Sequence, residues 1–242
     1  NTKPERDQIT MNISIFVTIW MTAMSPVTVN DHFLGEPLSF LKSNANVSAV
    51  EFYSPYTGAV PKMDDIPAPH LLVEIRVKSE AAARALTESD DFKQHFINKE
   101  GMLAGASKIN LEVLEAVHYD IPGHKTPPPR TSPFSFVVRY YGPVENSADF
   151  TDFYTKMHPP LLAKFPKVRN VLCYLPLGWR EGGELTDGTL IHGNEVVFDT
   201  LEDFKAATKT DAMDAVMADS KLFKSFGYNS HHPMYRKLVY QH

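Results

Sequence analysis

His158 and Tyr154 are the side chains whose types and spacing point most directly to chemistry. They lie four positions apart, in a segment where Phe150, Phe153, Tyr154 and Met157 recur at i, i+3, i+4 and i+7. That period builds an amphipathic helix, and residues four apart on a helix meet side by side. An imidazole takes up and returns a proton near neutral pH with no cofactor. A phenol beside it can orient the ring or donate a hydrogen bond to a developing oxyanion. His158 falls at the margin of the apolar stripe, where a residue can lean over the edge of a sheet into a pocket. The competing reading is structural: His158 caps the helix end and Tyr154 is core.

Candidate walls for such a pocket are Tyr140, Phe150, Tyr174, Trp179 and His231. Trp179 and Arg180 open a polar, glycine-rich connection with the composition of a lid or of an exposed hairpin. His231 and His232 are adjacent, so at most one of them faces the pocket. Metal is not expected. His158, His192 and His231 are the conceivable set, but no H-x-H or H-x-x-x-H pair occurs. The sequence has no G-x-G-x-x-G, no phosphate-binding P-loop and no G-x-S-x-G elbow, so no cofactor and no serine-hydrolase chemistry is expected. The single cysteine, Cys173, sits in an apolar strand pattern and reads as a small core residue.

The bulk properties narrow the partners. The 242 residues carry a net charge of −5, with 43% hydrophobic and 22% charged residues. No basic run with interleaved aromatics occurs, so nucleic acid is not an expected partner. The longest apolar stretch, from Ile13 to Met24, contains Thr18 and Thr22 and is too short to span a bilayer, so no membrane partner is expected either. One cysteine rules out an internal disulfide and points to a reducing, cytoplasmic setting. The chain begins at Asn1, which leaves a cleaved leader open. The expected partner is a small hydrophobic or aromatic molecule, and the expected state is monomer or homodimer.

These side chains need a scaffold, and the chain spells it twice. Residues 121–133, IPGHKTPPPRTSP, form a Pro-rich linker between a first unit over 11–120 and a second over 134–242. In the second unit, strand Phe134–Tyr141 precedes a helix capped by Ser147 and ending at His158-Pro159. Strands at Val168–Leu175 and Glu195–Asp199 follow, then a helical stretch from Leu201 to about Ser220 capped by Thr200, and a last strand at Met234–Tyr240. The first unit repeats the order with strands Ile13–Trp20, Val47–Tyr53, Leu71–Val77 and Leu111–Tyr119, a short helical region around Val29–Leu41, and a helix from Glu80 capped by Ser79. The order β-α-β-β-α-β is the ferredoxin-like plan, an α+β fold. Each sheet's second face carries apolar residues such as Phe16, Trp20, Val137 and Tyr141. That face needs a cover, and the two units packed sheet to sheet supply it as an intramolecular pseudo-dimeric α/β barrel.

The stretch FVVRYYGP…ADFTDFYTKMHPPLLAKFPKVRNVLCYLP resembles the EthD-like branch of the dimeric α/β-barrel superfamily. The resemblance covers most of Phe134 to Gln241 and extends more faintly over Ile13 to Tyr119, giving a tandem fusion of two units. It implies an asymmetric site: Glu36 stands where the second unit has His158, so the active site is expected in the second unit, and the first is either a degenerate scaffold or the holder of a second pocket with carboxylate chemistry around Glu36. The resemblance spans muconolactone-type isomerases, cyclases, decarboxylases, dehydratases and cofactor-independent monooxygenases. The expected activity is a cofactor-independent lyase, isomerase or cyclase acting on a small hydrophobic or aromatic carbonyl compound. In that reading His158 is the acid/base group and Tyr154 its orienting or oxyanion partner. The alternatives are a cofactor-free monooxygenase and a non-catalytic binding or stress-type barrel protein.

Overall fold

The computed structural model describes residues 12–57, 66–124, 129–177 and 190–242. Strand β1 covers Ile13–Met21, β2 Val47–Pro55, β3 Leu71–Val77 and β4 Ala106–Tyr119. Strand β5 covers Phe134–Tyr141, β6 Asn170–Pro176, β7 Leu190–Phe198 and β8 Tyr228–Gln241. Between them lie α1 Pro26–Phe33, α2 Glu36–Ser43, α3 Glu80–Glu88, α4 Asp90–Phe96, α5 Ser147–Leu162, α6 Leu201–Ala207 and α7 Asp211–Ser220. The strands close into one antiparallel barrel in the order β1-β3-β2-β8-β5-β7-β6-β4. Among the described residues no helix is long and apolar enough to cross a membrane.

The order β4-β1-β3-β2 of the first half recurs as β8-β5-β7-β6 in the second. The halves join edge to edge, through β2 with β8 and β4 with β6. Closure removes the free edges that an open sheet of this kind would leave. The expected face-to-face packing of two sheets is therefore realised as one continuous hydrogen-bonded wall.

Side chains alternate across that wall. Ile13, Ile15, Val17 and Ile19 face outward with Val73 and Ile75, under the helices of the first half. Phe134, Phe136, Val138 and Tyr140 face outward in the second half. Phe16, Tyr53, Val137 and Tyr174 face inward. The interior is not the apolar core that the sequence suggested. Ser14 donates to Glu74 at 2.6 Å and Tyr53 donates to Glu74 at 2.7 Å. At the same spacing further along the chain, Ser135 donates to Glu195 at 2.5 Å and Tyr174 donates to Glu195 at 2.6 Å. Arg130 lies between the two sets, 2.8 Å from Glu74 and 3.0 Å from Glu195. Arg236 joins at 2.7 Å from Glu51, which also holds Arg76 at 2.7 Å. Burial works to raise the Glu74 pKa, but Arg130 and Arg76 outweigh it and hold the carboxyl at about 2. The linker is thus more than a spacer: its Arg130 and Ser132 are buried, and Arg236 donates to the carbonyls of both.

Several element ends differ from the sequence reading. The first helical region splits at Leu34-Gly35 into α1 and α2, leaving Glu36 exposed in the first turn of α2. The stretch after Thr200 splits into α6 and α7 at Thr208–Thr210, where hydroxyls take the carbonyls that end α6. Strands β4, β7 and β8 begin earlier than expected, at Ala106, Leu190 and Tyr228. Polar residues there hid the strands, since histidine, asparagine and serine lack strand propensity but are held by their neighbours' ladders.

Candidate functional site

Helix α5 carries His158 over the outer face of the second half. Its N-cap is Asn146 rather than Ser147, with the Asn146 side chain accepting from the Asp149 amide at 3.1 Å. The helix does not stop at Pro159 but runs on through Pro159 and Pro160 to Leu162. Pro159 has no N–H for the carbonyl four residues back. That carbonyl, of Thr155, instead accepts from the Tyr119 hydroxyl at 2.9 Å, so a strand of the first half repairs the helix beside the site. His158 is thereby an interior helix residue with its side chain buried.

Asp219, on the last turn of α7, meets it. Its Oδ2 lies 2.8 Å from His158 Nδ1, and both side chains are buried. The carboxylate can only accept, so Nδ1 carries the proton and Nε2 keeps its lone pair. Burial lowers the His158 pKa below the ordinary histidine value, and Asp219 offsets this in part through its hydrogen bond and charge. The ring is therefore a neutral base at neutral pH.

His158 borders a cavity of about 540 Å³ between the sheet and helices α5, α6 and α7. Its wall is largely aromatic and aliphatic, with Phe136, Tyr140, Phe165, Phe204, Phe223 and Phe226 supplying the rings. Polar side chains are the minority: Asn194 on β7, Asn229 and His231 on β8, and Lys205, Thr208 and Ser220 on the helical side join His158. That is the composition of a small-molecule site, apolar with a handful of orienting groups.

Behind the wall, Asn194 Nδ2 donates to the Tyr154 hydroxyl. Tyr140 packs against Tyr154 with ring centres 5.2 Å apart. Of the two phenols, Tyr140 borders the cavity. Burial pushes both phenols above the ordinary tyrosine value, so both stay protonated donors. His192 packs against Tyr154 with ring centres 4.1 Å apart and contacts Thr151 at 3.1 Å. Burial, helped by the nearby His158, pushes its pKa down to about 3, which keeps a second charge out of the site.

The structure sorts the sequence-predicted residues. His158, Tyr140 and His231 border the cavity. His231 lies within β8, not before it, and His232 faces the barrel interior from the opposite side of the strand. Tyr154 touches His158, with ring centres 5.0 Å apart, but stands one layer behind the wall, as does Phe150, which stacks on Phe226 at 5.6 Å. Tyr174 is a correction: it faces the barrel interior and binds Glu195 and Arg130. Its neighbour Cys173 takes the outward position, and burial raises the thiol pKa to about 12. Trp179 and the proposed lid lie outside the described residues. Sequence reasoning missed Asp219 and Asn194, and weighed His192 only as a metal ligand. Asp219 left one signal, a carboxylate in the last turn of a helix, where the dipole disfavours it. Among the described residues no three His, Cys, Asp or Glu side chains group as a metal site would require.

No protein-family profile matches the chain, and no curated protein matches it in sequence. Solved structures do. An anthrone oxidase-like protein superposes with a TM-score of 0.63 at 12% identity, over 96% of this chain and 94% of its own. A "putative monooxygenase" from Fusobacterium nucleatum subsp. nucleatum superposes with a TM-score of 0.60 at 7% identity, over 96% of this chain and 95% of its own. The chain shares its α+β fold, built on one closed eight-stranded antiparallel sheet, with these two structures. An EthD family protein from Bacillus halodurans C-125 matches 41% of this chain and 95% of its own, at 21% identity and a TM-score of 0.34. At these identities the likeness speaks to the fold, and function must be argued from the site.

Proposed function

We propose that the protein is a cofactor-independent acid/base enzyme of the lyase, isomerase or cyclase type, acting on a small hydrophobic or aromatic carbonyl compound. The observation that carries this reading is the His158–Asp219 pair, 2.8 Å apart on the wall of a largely apolar cavity. A binding protein for an apolar ligand gains nothing from burying a carboxylate to fix one imidazole tautomer, and burial of that charge costs free energy. A proton-transfer catalyst gains an oriented base.

In this mechanism His158 Nε2 removes a proton from the carbon next to the carbonyl, and Asp219 stabilises the imidazolium that results. The Tyr140 hydroxyl donates to the enolate oxygen, which gains negative charge as the proton leaves. Tyr154 and Asn194 hold Tyr140 in place. His158 then returns the proton to a new position or to a leaving group. His231 and Asn229 orient the far end of the substrate.

A second reading, cofactor-free oxygenation, is favoured by the aromatic lining. A fused aromatic ketone fits it, and the carbanion formed by His158 would be delocalised enough to react with dioxygen itself. The two neighbours described above as an anthrone oxidase-like protein and a "putative monooxygenase" agree with this reading without deciding it.

We also read the two halves as ferredoxin-like units fused in tandem, each closing the other's barrel, with the site kept only in the second. The recurring strand order and the repeated Ser–Tyr–Glu sets support duplication. Such a chain completes its barrel as a monomer.

The experiment is incubation with a panel of aryl ketones in D2O, with mass spectrometry for deuterium gained next to the carbonyl and an electrode for oxygen uptake. Exchange without uptake that is lost in His158→Ala supports the first reading. Exchange with uptake supports the second. Exchange equal in wild type and His158→Ala removes His158 from the mechanism.

A further inference from the structure

The barrel interior holds a second cavity, of about 180 Å³, separate from the His158 site. Strands β1 and β5 start at the Arg130 end, with Ser14 and Ser135. They finish at this cavity, which Thr18, Trp20, Arg139 and Tyr141 border. Consecutive residues of β5 serve the two cavities: Tyr140 faces the His158 side and Arg139 the interior.

Arg139 is the feature that needs explaining. It is 4% exposed, so its cation is almost fully out of water. Its guanidinium sits 4.9 Å from the Phe16 ring and 5.1 Å from the Tyr174 ring. Nε lies 3.4 Å from Glu112 Oε2, a long contact for an ion pair, and Nη1 donates to the Val138 carbonyl at 3.2 Å. Nη2 is buried with no hydrogen-bond partner among the described residues. A buried cation so weakly satisfied is costly unless something completes it.

The space for this cation is made by its neighbour. Thr18 pairs with Leu72 in the first half, and at the corresponding place Arg139 pairs with Gly193 in the second. A Cβ on Gly193 would stand 2.7 Å from both Arg139 Cδ and Nη1. The first half has a small polar residue beside a leucine; the second has an arginine lying across a glycine. The volume exchanged admits a cation on one side of the barrel only. Lys108 and Glu112 also border the cavity, with Lys108 Nζ 5.2 Å from the Trp20 ring centre. The wall also includes the hydroxyls of Thr18 and Ser230, the His232 imidazole and the rings of Trp20, Tyr141 and Tyr228.

We propose that this cavity is a binding site for a small carboxylate with a compact apolar body, held at Arg139 and Lys108 and packed against Trp20. Its volume equals roughly six waters at ~30 Å³ each, which suits an acid of a few carbons and excludes multi-ring compounds. The site is independent of the reading of His158.

The test uses the full chain and sodium butyrate as probe, following the Trp20 indole N–H by NMR, with butyramide and sodium chloride at matched ionic strength. Butyrate is expected to shift the Trp20 signal saturably, with butyramide at least tenfold weaker and chloride giving no saturable shift. Arg139→Gln is expected to raise the butyrate Kd at least tenfold and Lys108→Gln severalfold. The proposal is overturned by no saturable shift (a cavity that holds only water), by equal binding of butyrate and butyramide, by an equal response to chloride, or by variants that bind like wild type. Should Arg139→Gln fail to fold, Lys108→Gln at the half-buried rim decides alone: an unchanged Kd overturns the proposal.

Discussion

Asp219 Oδ2 lies 2.8 Å from His158 Nδ1, a contact that ties the last turn of α7 to the fourth turn of α5. The contact joins residues from the second unit's two helical segments, and it gives the imidazole one tautomer. Asp219→Asn keeps the size but presents an amide that can donate to Nδ1 and so favour the other tautomer. The expected result is a loss of about 10²-fold or more in kcat with little change in melting temperature. A loss below about threefold in aryl-ketone exchange would show that the tautomer does not matter.

Their positions make Tyr140 and Tyr154 unequal. Tyr140 borders the cavity and Tyr154 does not, so Tyr140→Phe removes the group that meets the substrate. It is expected to lower kcat about 10–10²-fold at an unchanged melting temperature, within the range of a single oxyanion donor or slightly below. Tyr154→Phe removes only the group behind it, and is expected to cost less in kcat and more in stability. Kinetics and thermal denaturation of both variants check the order, and the reverse order would return the direct role to Tyr154.

Arg130 joins the two halves by bonding to Glu74 and Glu195, with Tyr53 at 3.2 Å and Tyr174 at 2.9 Å completing its shell. Removing one partner of a buried ion cluster strands the others. Arg130→Met is therefore expected to cost about 3–5 kcal/mol in urea denaturation. A cost under about 1 kcal/mol would mean that the carboxylates find other partners and that the linker is a tether only.

Acid should destabilise the protein in two stages. His192 has a folded pKa of about 3 against an ordinary 6.5, so between those values the unfolded chain binds the extra proton. Its contribution is fully present above about pH 6.5 and is lost as pH falls toward 3, with a slope of about 1.4 kcal/mol per pH unit at most. His158 adds to the upper part of this window, since its folded pKa is also depressed. Glu74, lowered from 4.5 to about 2, adds a second loss as pH falls through that range. Urea melts between pH 7 and pH 4 should show the slope, and His192→Phe should remove about one proton of it. An unchanged slope would place the proton uptake elsewhere.

Much of the scaffold was legible because its strands alternate. Phe134–Tyr141 and Leu71–Val77 were bounded to the residue by apolar periodicity and flanking turn residues. The starts of β7 and β8 were not, because His192, Asn194, His231 and His232 carry no strand signal of their own and owe their conformation to partner strands. The interior cluster was also hidden. Glu74 and Glu195 lie in otherwise apolar strands, and the cation between them, Arg130, sits in a proline-rich run that reads as spacer. At the site, His158 was readable from its helix position, whereas Asp219 depended on how α7 packs against α5, a relationship that no local pattern contains.

The most direct test of the central claim is the titration of the His158 ring nitrogens, followed by 15N NMR in the uncomplexed protein. The structure predicts a neutral ring protonated on Nδ1, with Nε2 free toward the cavity and a midpoint below 6.5. A ring protonated on Nε2, or a midpoint above 6.5, would contradict the assignment of His158 as the base.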